Sequence, residues 1–271
     1  MNYQMINLDL DGTLLNSRKE IPEDTVQAIR TVIAAGKTVA FNTGRALPEL
    51  ADQIARLPEI RYAVYASGTG LYDTLEKKTF GLHTLPAGQV ERICAVARSR
   101  DIMPQFVTAD RIFIQTSHME NLEHFHMGVY RPMYEQAMTL VPDIQAFAET
   151  CREPFLKINL YHANPEERIQ SRAQLETPEL ELTYCEISSL ECAPAGVTKG
   201  SGLKNLCALL GIPAEACIAA GDGENDVPMF RAAGLSVAMG SAPAYIKAIT
   251  DRVVPDQDHG GCAQAVLMLL E

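Results

Sequence analysis

The segment MINLDLDGT, residues 5–13, carries two aspartates separated by one leucine and followed by a glycine. If the apolar run before them is a strand, side chains alternate faces, so Asp9 and Asp11 project together and Leu10 projects away. Two carboxylates about 4 Å apart repel by roughly 4 kcal/mol at an effective dielectric of 20. A fold carries that repulsion only if a cation sits beside the pair or one acid stays protonated. An ionised Asp9 is a nucleophile that needs no separate base. Asp11, its proton held by the like-charged neighbour, can act as general acid and then as base. Attack of Asp9 on phosphorus, with Asp11 protonating the departing alkoxide and later taking a proton from water, uses both residues in these roles.

Three further segments carry compatible chemistry: FNTGR at 41–45, GVTKG at 196–200 and GDGEND at 221–226. The first and last follow apolar, strand-like runs. In an open parallel sheet the strands' C-terminal ends lie along one edge, where ligands bind. Asp9, Asp11, Thr43, Gly44, Asp222, Asn225 and Asp226 can therefore converge, and Lys199 opens the helix just before the GDGEND strand. Four carboxylates against one lysine leave an excess that a divalent cation brings to about −1. Clustered carboxylate oxygens with waters and a substrate phosphate suit Mg²⁺. A phosphate dianion also finds donors in the Thr43 hydroxyl and in backbone N–H groups exposed at Gly12, Thr13 and Gly44. Arg45 can contact an anionic group through two donors or cap its own helix. Glu224 is expected at the surface.

These residues need elements to hold them. Within residues 17–37 a helix is expected, with Pro22 suited to its first position, Val26, Ile29, Val32 and Ile33 at helical spacing, and Gly36 as its stop. A strand is expected over Thr38–Asn42, a helix over 46–57 and a strand over 61–68. After Thr198 come helix 198–211, strand 217–222, helix 224–234, strand 235–240, helix 242–250, a short strand at 251–255 and a closing helix. Alternating strands and helices imply an α/β core, a Rossmann-like doubly wound parallel sheet. Residues 86–190 read differently, as an α+β insertion with antiparallel strands. The expected organisation is a core of residues 1–85 and 191–271 with an inserted cap of residues 86–190.

The chain has 271 residues, 47% of them apolar and 21% charged, and a net charge of −11. That balance argues against nucleic acid and anionic membrane surfaces as partners, since both need a basic face. Seven cysteines without a C-x-x-C pair read as free thiols of a reducing cytoplasm. No signal peptide and no membrane-length apolar run are expected. His118, His124 and His126 read as solvated or substrate-facing rather than metal-bound.

Together DLDGT, NTGR, GVTKG and GDGENDVPMF resemble the four motifs of the haloacid dehalogenase superfamily. Their order, with an insertion between NTGR and the lysine, is similar to the Cof-type sugar-phosphatase branch with its large α/β cap. The resemblance implies Asp9 as nucleophile, Asp11 as acid/base, and Mg²⁺ held by Asp9, the Asp11 carbonyl and Asp222. It implies that Asn225 and Asp226 support metal and phosphate, that Thr43 and Lys199 hold phosphate, and that the substrate is a small phosphorylated metabolite. Ser67-Gly68-Thr69 and Ser241 stand where many members carry Asn-Gly-Ala and Asn; these loops flank the site and bear on substrate fit. A phosphomutase using the same aspartyl phosphate and a non-catalytic phosphosugar-binding protein are the alternatives.

Overall fold

In a computed structural model that describes residues 2–271, five strands come first: β1 (Met5–Leu8), β2 (Thr38–Asn42), β3 (Tyr62–Tyr65), β4 (Gly70–Asp73) and β5 (Lys78–Phe80). Six follow in the middle of the chain: β6 (Ile102–Val107), β7 (Ile112–Gln115), β8 (Met138–Val141), β9 (Lys157–His162), β10 (Leu180–Thr183) and β11 (Ser189–Pro194). The last three are β12 (Cys217–Gly221), β13 (Leu235–Ala238) and β14 (Arg252–Val253). They form two sheets, in the orders β14-β13-β12-β1-β2-β3-β4-β5 and β10-β11-β9-β6-β7-β8.

The first sheet is parallel from β14 to β3, and β4 and β5 extend it antiparallel. Its strands β1, β2, β12 and β13 are almost wholly buried runs rather than alternating ones, as a sheet covered on both faces requires. Helix Glu23–Ala34 packs with the closing helix Gly261–Leu267, and helix Lys199–Leu210 packs with Val227–Ala232. The chain runs outward from β1 through β2 to β3, then returns to the other flank of β1 as β12 and runs out to β14. The strand order therefore reverses between β1 and β12. That is the switch point where an open α/β sheet leaves a crevice at its carboxyl edge. Asp9 and Asp222 are the residues that follow these two strands.

The chain divides into two compact units. One comprises residues 1–44, 52–81 and 198–271; the other comprises 45–51 and 82–197. The second unit holds the six-stranded sheet, antiparallel except where β7 runs parallel to β8. An apolar cluster that includes Ile93, Phe106, Ile158, Leu160, Leu175 and Leu190 fills one part of it. A second cluster gathers Met103, Ile114, Leu122, Met127, Tyr134 and Tyr161. Residue 191, where the sequence reading returned the chain to the core, lies inside β11, which pairs with β9 and β10 of this sheet.

Several local elements differ from the sequence reading. Residues 46–57 form a short 3₁₀ turn at Leu47–Leu50 before a helix of Ala51–Arg56. Within the stretch read only as part of an α+β insertion, residues after Asn164 form a helix, Glu167–Leu175. The hairpin β4–β5 and the strands β6, β8 and β11 carry too little alternation to be read. No helix among the described residues is long and apolar enough to cross a membrane.

Candidate active site

Strand β1 stops at Leu8, one residue before Asp9, so strand alternation does not extend to Asp11. The chain instead turns at once: Thr13 N donates to Leu10 O, Leu14 N to Asp9 O and Leu15 N to Leu10 O, at 3.2, 3.2 and 2.8 Å. Gly12 makes this turn possible, with φ at +80°. It also makes room, because a Cβ there would lie 2.4 Å from Asp222 Oδ2. Gly221 does the same for the other strand: a Cβ there would lie 2.4 Å from the Asp226 carboxylate carbon. The glycines of DLDGT and GDGEND thus let carboxylates approach the backbone closely.

Asp9, which is 6% exposed, is fixed by its backbone N–H to Ala220 O at 3.0 Å. Lys199 Nζ donates to Asp9 Oδ1 and to Asp226 Oδ1, each at 2.6 Å. Lys199 and Asp226 are completely buried. Asp226 Oδ2 accepts the backbone N–H groups of Asp222 and Gly223, both at 2.9 Å. Both Asp226 oxygens are therefore engaged in holding Lys199 and the GDGEND turn. Asp222 Oδ1 accepts from Thr13 Oγ1 at 3.3 Å, tying the loops after β1 and β12 together. The lysine is placed with equal care. Thr198 caps its helix, accepting from Ser201 N at 3.2 Å, while Ser201 Oγ accepts from Thr198 N at 2.9 Å. Asn42 Nδ2 donates to Lys199 O at 3.0 Å.

Oxygens of Asp9, Asp222 and Asp226 all lie within 4.8 Å of one another. Burial is the main reason the Asp9 carboxyl stands well above the usual carboxylate range; Asp226 and Asp222 push the same way, against the pull of Lys199. Burial, then the Asp226 charge, raises Asp222 to about 7. For Lys199 burial works against the charge, but Asp226 and Asp9 outweigh it and hold the ammonium above its ordinary range. The like-charge load expected between Asp9 and Asp11 thus falls on Asp9, Asp222 and Asp226.

Asp11 lies outside this group. Its Oδ1 accepts from Lys19 Nζ at 2.8 Å, a partner that sequence reasoning missed because the lysine reaches it only after the loop folds back. Thr43 is buried, its N–H donating to Val64 O and its carbonyl accepting from Ser67 N, each at 2.9 Å. Gly44 and Asn225 are half-buried and Glu224 is exposed. Arg45 begins the part of this loop that belongs to the second unit, where its Nη1 donates to Glu49 O at 3.4 Å. Ser67 has φ at +60°, a conformation asparagine tolerates more readily than serine. His124 Nε2 pairs with Asp101 at 2.6 Å and His126 Nε2 meets Ala163 O at 3.1 Å; among the described residues the only group fit for a metal is the aspartate cluster.

The donor set fits a hard divalent cation. Two buried carboxylates and a half-buried one face one lysine, and Oδ2 of Asp9 and Oδ2 of Asp222 are the oxygens not already engaged by a protein donor among the described residues. Counting Asp11 and Lys19 as well, four carboxylates meet two lysines, so a divalent ion would bring the whole edge to neutrality.

Known proteins similar to this chain include phosphatases. Phosphatase YwpJ of Bacillus subtilis is 27% identical over 98% of this chain and 100% of its own length. Pyridoxal phosphate phosphatase YbhA of Escherichia coli is 27% identical over 98% of each chain. A solved haloacid dehalogenase-like hydrolase from B. subtilis, 26% identical, superposes with a TM-score of 0.87 over 97% of this chain and 98% of its own. One from Bacteroides thetaiotaomicron shares the fold, with a TM-score of 0.84 at 24% identity over 98% and 99% of the two chains. Residues 6–266 match the haloacid dehalogenase-like hydrolase family, and the chain belongs to that family, in its Cof-type branch.

Proposed function

We propose that this phosphatase hydrolyses small phosphomonoesters, sugar phosphates foremost, through an aspartyl phosphate on Asp9 with Mg²⁺ as cofactor. The observation that carries the reading is the buried Lys199 bridging Asp9 and Asp226 beside Asp222. Binding alone does not need a nucleophile, and the Asp9/Asp11 pair at this edge supports the catalytic reading over a site that only binds phosphate.

Asp9 attacks phosphorus through a carboxylate oxygen. Lys199 keeps the Asp9 carboxylate in one orientation and offsets charge on the transferring phosphoryl group. Asp11 protonates the leaving alkoxide, then accepts a proton from the water that hydrolyses the aspartyl phosphate. Thr43, Gly44 and Asn225 supply phosphate contacts from the same sheet edge. Asp9, Asp222 and the Asp11 carbonyl, with Asp226 behind them, would hold Mg²⁺, which when bound would supply electrostatic stabilisation of the phosphoryl oxygens. The inserted second unit is assigned the role of a cap, and Arg45 that of a contact for the substrate. The seven free cysteines support a reducing, cytoplasmic setting.

The test is inorganic phosphate release from a panel of sugar and nucleotide monophosphates with Mg²⁺. Turnover is expected on several sugar phosphates, and EDTA should abolish it. Metal-independent turnover, or none across the panel, would refute the assignment.

A further inference from the structure

Two of the seven cysteines stand sulfur to sulfur inside the first unit: Cys207 Sγ and Cys217 Sγ are 3.3 Å apart. Cys207 lies near the end of helix Lys199–Leu210, and Cys217 is the first residue of β12. The chain between them reverses sharply. The Cys207 carbonyl closes the helix by accepting from Gly211 N and from Ile212 N, with Gly211 at φ +67°. Pro213 and the turn Ala214–Ala216 then lead directly into β12. There Cys217 pairs with Met5 of β1, and its carbonyl accepts from Gly234 N at 3.0 Å. Its Sγ also donates to Pro213 O at 3.5 Å. Both backbones are therefore held, and the fold itself brings the sulfurs together. The sequence hides the pair because ten residues separate its members, outside any C-x-x-C pattern.

We infer that Cys207 and Cys217 are a site of reversible oxidation, closing to a disulfide when a peroxide reaches them. A disulfide bond is about 2.05 Å long, so closure needs roughly 1.2 Å of combined sulfur movement, which small side-chain rotations supply. Cys207 reacts first, being 5% exposed where Cys217 is fully buried. The contact favours the same order: the hydrogen bond with Cys217 draws the Cys207 thiol below its ordinary range and holds the Cys217 thiol above it. The Cys207 sulfur bonds to one peroxide oxygen, the O–O bond breaks, and the other oxygen leaves as water. Cys217 then attacks the resulting sulfenic sulfur, the S–S bond forms, the S–O bond breaks, and a second water leaves. Two thiols are oxidised and one hydrogen peroxide is reduced to two waters. The bond joins the elements that carry Lys199 and lead to Asp222, but far from those residues. Cys217 opens β12, whereas Asp222 follows its last residue. Cys207 lies eight residues beyond Lys199, about 12 Å along a helix that rises 1.5 Å per residue. The cross-link thus staples the base of the core and leaves the catalytic edge in place. Disulfides of a reducing cytoplasm are transient, in keeping with the free thiols of the resting protein.

The test treats the reduced protein with graded hydrogen peroxide, alkylates it with iodoacetamide and maps its peptides. Tryptic peptide 205–231 holds both cysteines and no other. The cross-link therefore appears as that peptide lighter by two hydrogen atoms and closed to alkylation. This form is expected as the principal oxidised product of the peptide, and dithiothreitol should restore both thiols. The oxidised protein should melt roughly 5–10 °C above the reduced one, as a native cross-link closing a short loop does. Its phosphate release should match that of the reduced protein. Cys207→Ala and Cys217→Ala should each lose the cross-link and the thermal shift. In Cys217→Ala, oxidation should stop at sulfenic or sulfinic acid on Cys207, for want of a second thiol. The wild-type peptide map decides the matter even if a variant folds poorly. Both cysteines recovered as thiols while others oxidise, or as two separate sulfinic acids, would overturn the inference. So would a cross-linked protein that melts lower than the reduced one. Absence of turnover in the reduced protein would instead count against the phosphatase reading, on which the cross-link does not depend.

Discussion

Asp9→Asn is expected to lower sugar-phosphate turnover by roughly 10⁴- to 10⁶-fold, the scale on which loss of a nucleophile is felt. The amide keeps the shape of the carboxylate but cannot form the acyl phosphate. The substitution should not harm the fold, and the sign follows from the electrostatics. Burial, Asp226 and Asp222 together hold the Asp9 carboxyl well above its unfolded value, so its ionised form is a net liability to the folded protein when no cation is bound. A neutral amide removes that liability while Lys199 keeps Asp226 as partner. The metal-free variant should therefore melt at or above the wild-type temperature, and Mg²⁺ should stabilise the wild type more than the variant. Thermal unfolding followed by circular dichroism, with and without Mg²⁺, checks both statements. Substantial residual turnover in Asp9→Asn would remove Asp9 from the role of nucleophile.

Lys199→Met should have the opposite profile, losing stability and activity together. The methionine fills similar volume but strands two buried carboxylates, at Asp9 and Asp226. Breaking a buried ion pair from one side costs about 3–5 kcal/mol, because the remaining charge has no partner and little water. For a domain of this size that corresponds to a melting temperature lower by roughly 6–15 °C. Turnover should fall about 10³-fold, since Asp9 loses the contact that orients it and the phosphoryl charge loses a cation. Adding Asp226→Asn to Lys199→Met should recover part of the stability, by removing one of the stranded charges, and none of the activity. A Lys199→Met protein that melts within about 2 °C of wild type would show that the buried pairs do not carry this load.

How much of this was legible in the sequence depends on which physical signal each part leaves there. The parallel core was readable because buried strands such as TVAFN and CIAAG are apolar runs that end abruptly in polar turns. Asp9 and Asp222 stood out for the same reason, as acids directly beyond such runs. The second sheet was less readable. Strand β6 contains Pro104, which argues against a strand interior; β7 pairs with β6 only at Phe106 and Val107, so the first part of β6 lacks that neighbour and tolerates the missing N–H. Strand β11, SLECAP, has neither clean alternation nor a turn before the next element, so the end of the insertion was placed inside it. Within the site, the dual grip of Lys199 was only half visible: a lysine near the edge could be inferred, but not its bond to Asp226, which depends on Gly221 allowing that carboxylate to press against the backbone. The Lys19–Asp11 pair left no signal, because its geometry is made by the Asn16 side chain folding the loop.

Trapping the covalent intermediate tests the central claim most directly. The protein is mixed with a sugar phosphate that it turns over in Mg²⁺, quenched during turnover, and reduced with borohydride, which converts an acyl phosphate of aspartate to homoserine. Peptide mass spectrometry should then find homoserine at residue 9, and at no other aspartate, in proportion to the enzyme caught in mid-reaction. Full turnover with residue 9 recovered only as aspartate, or with homoserine at Asp11, Asp222 or Asp226 instead, would contradict the account.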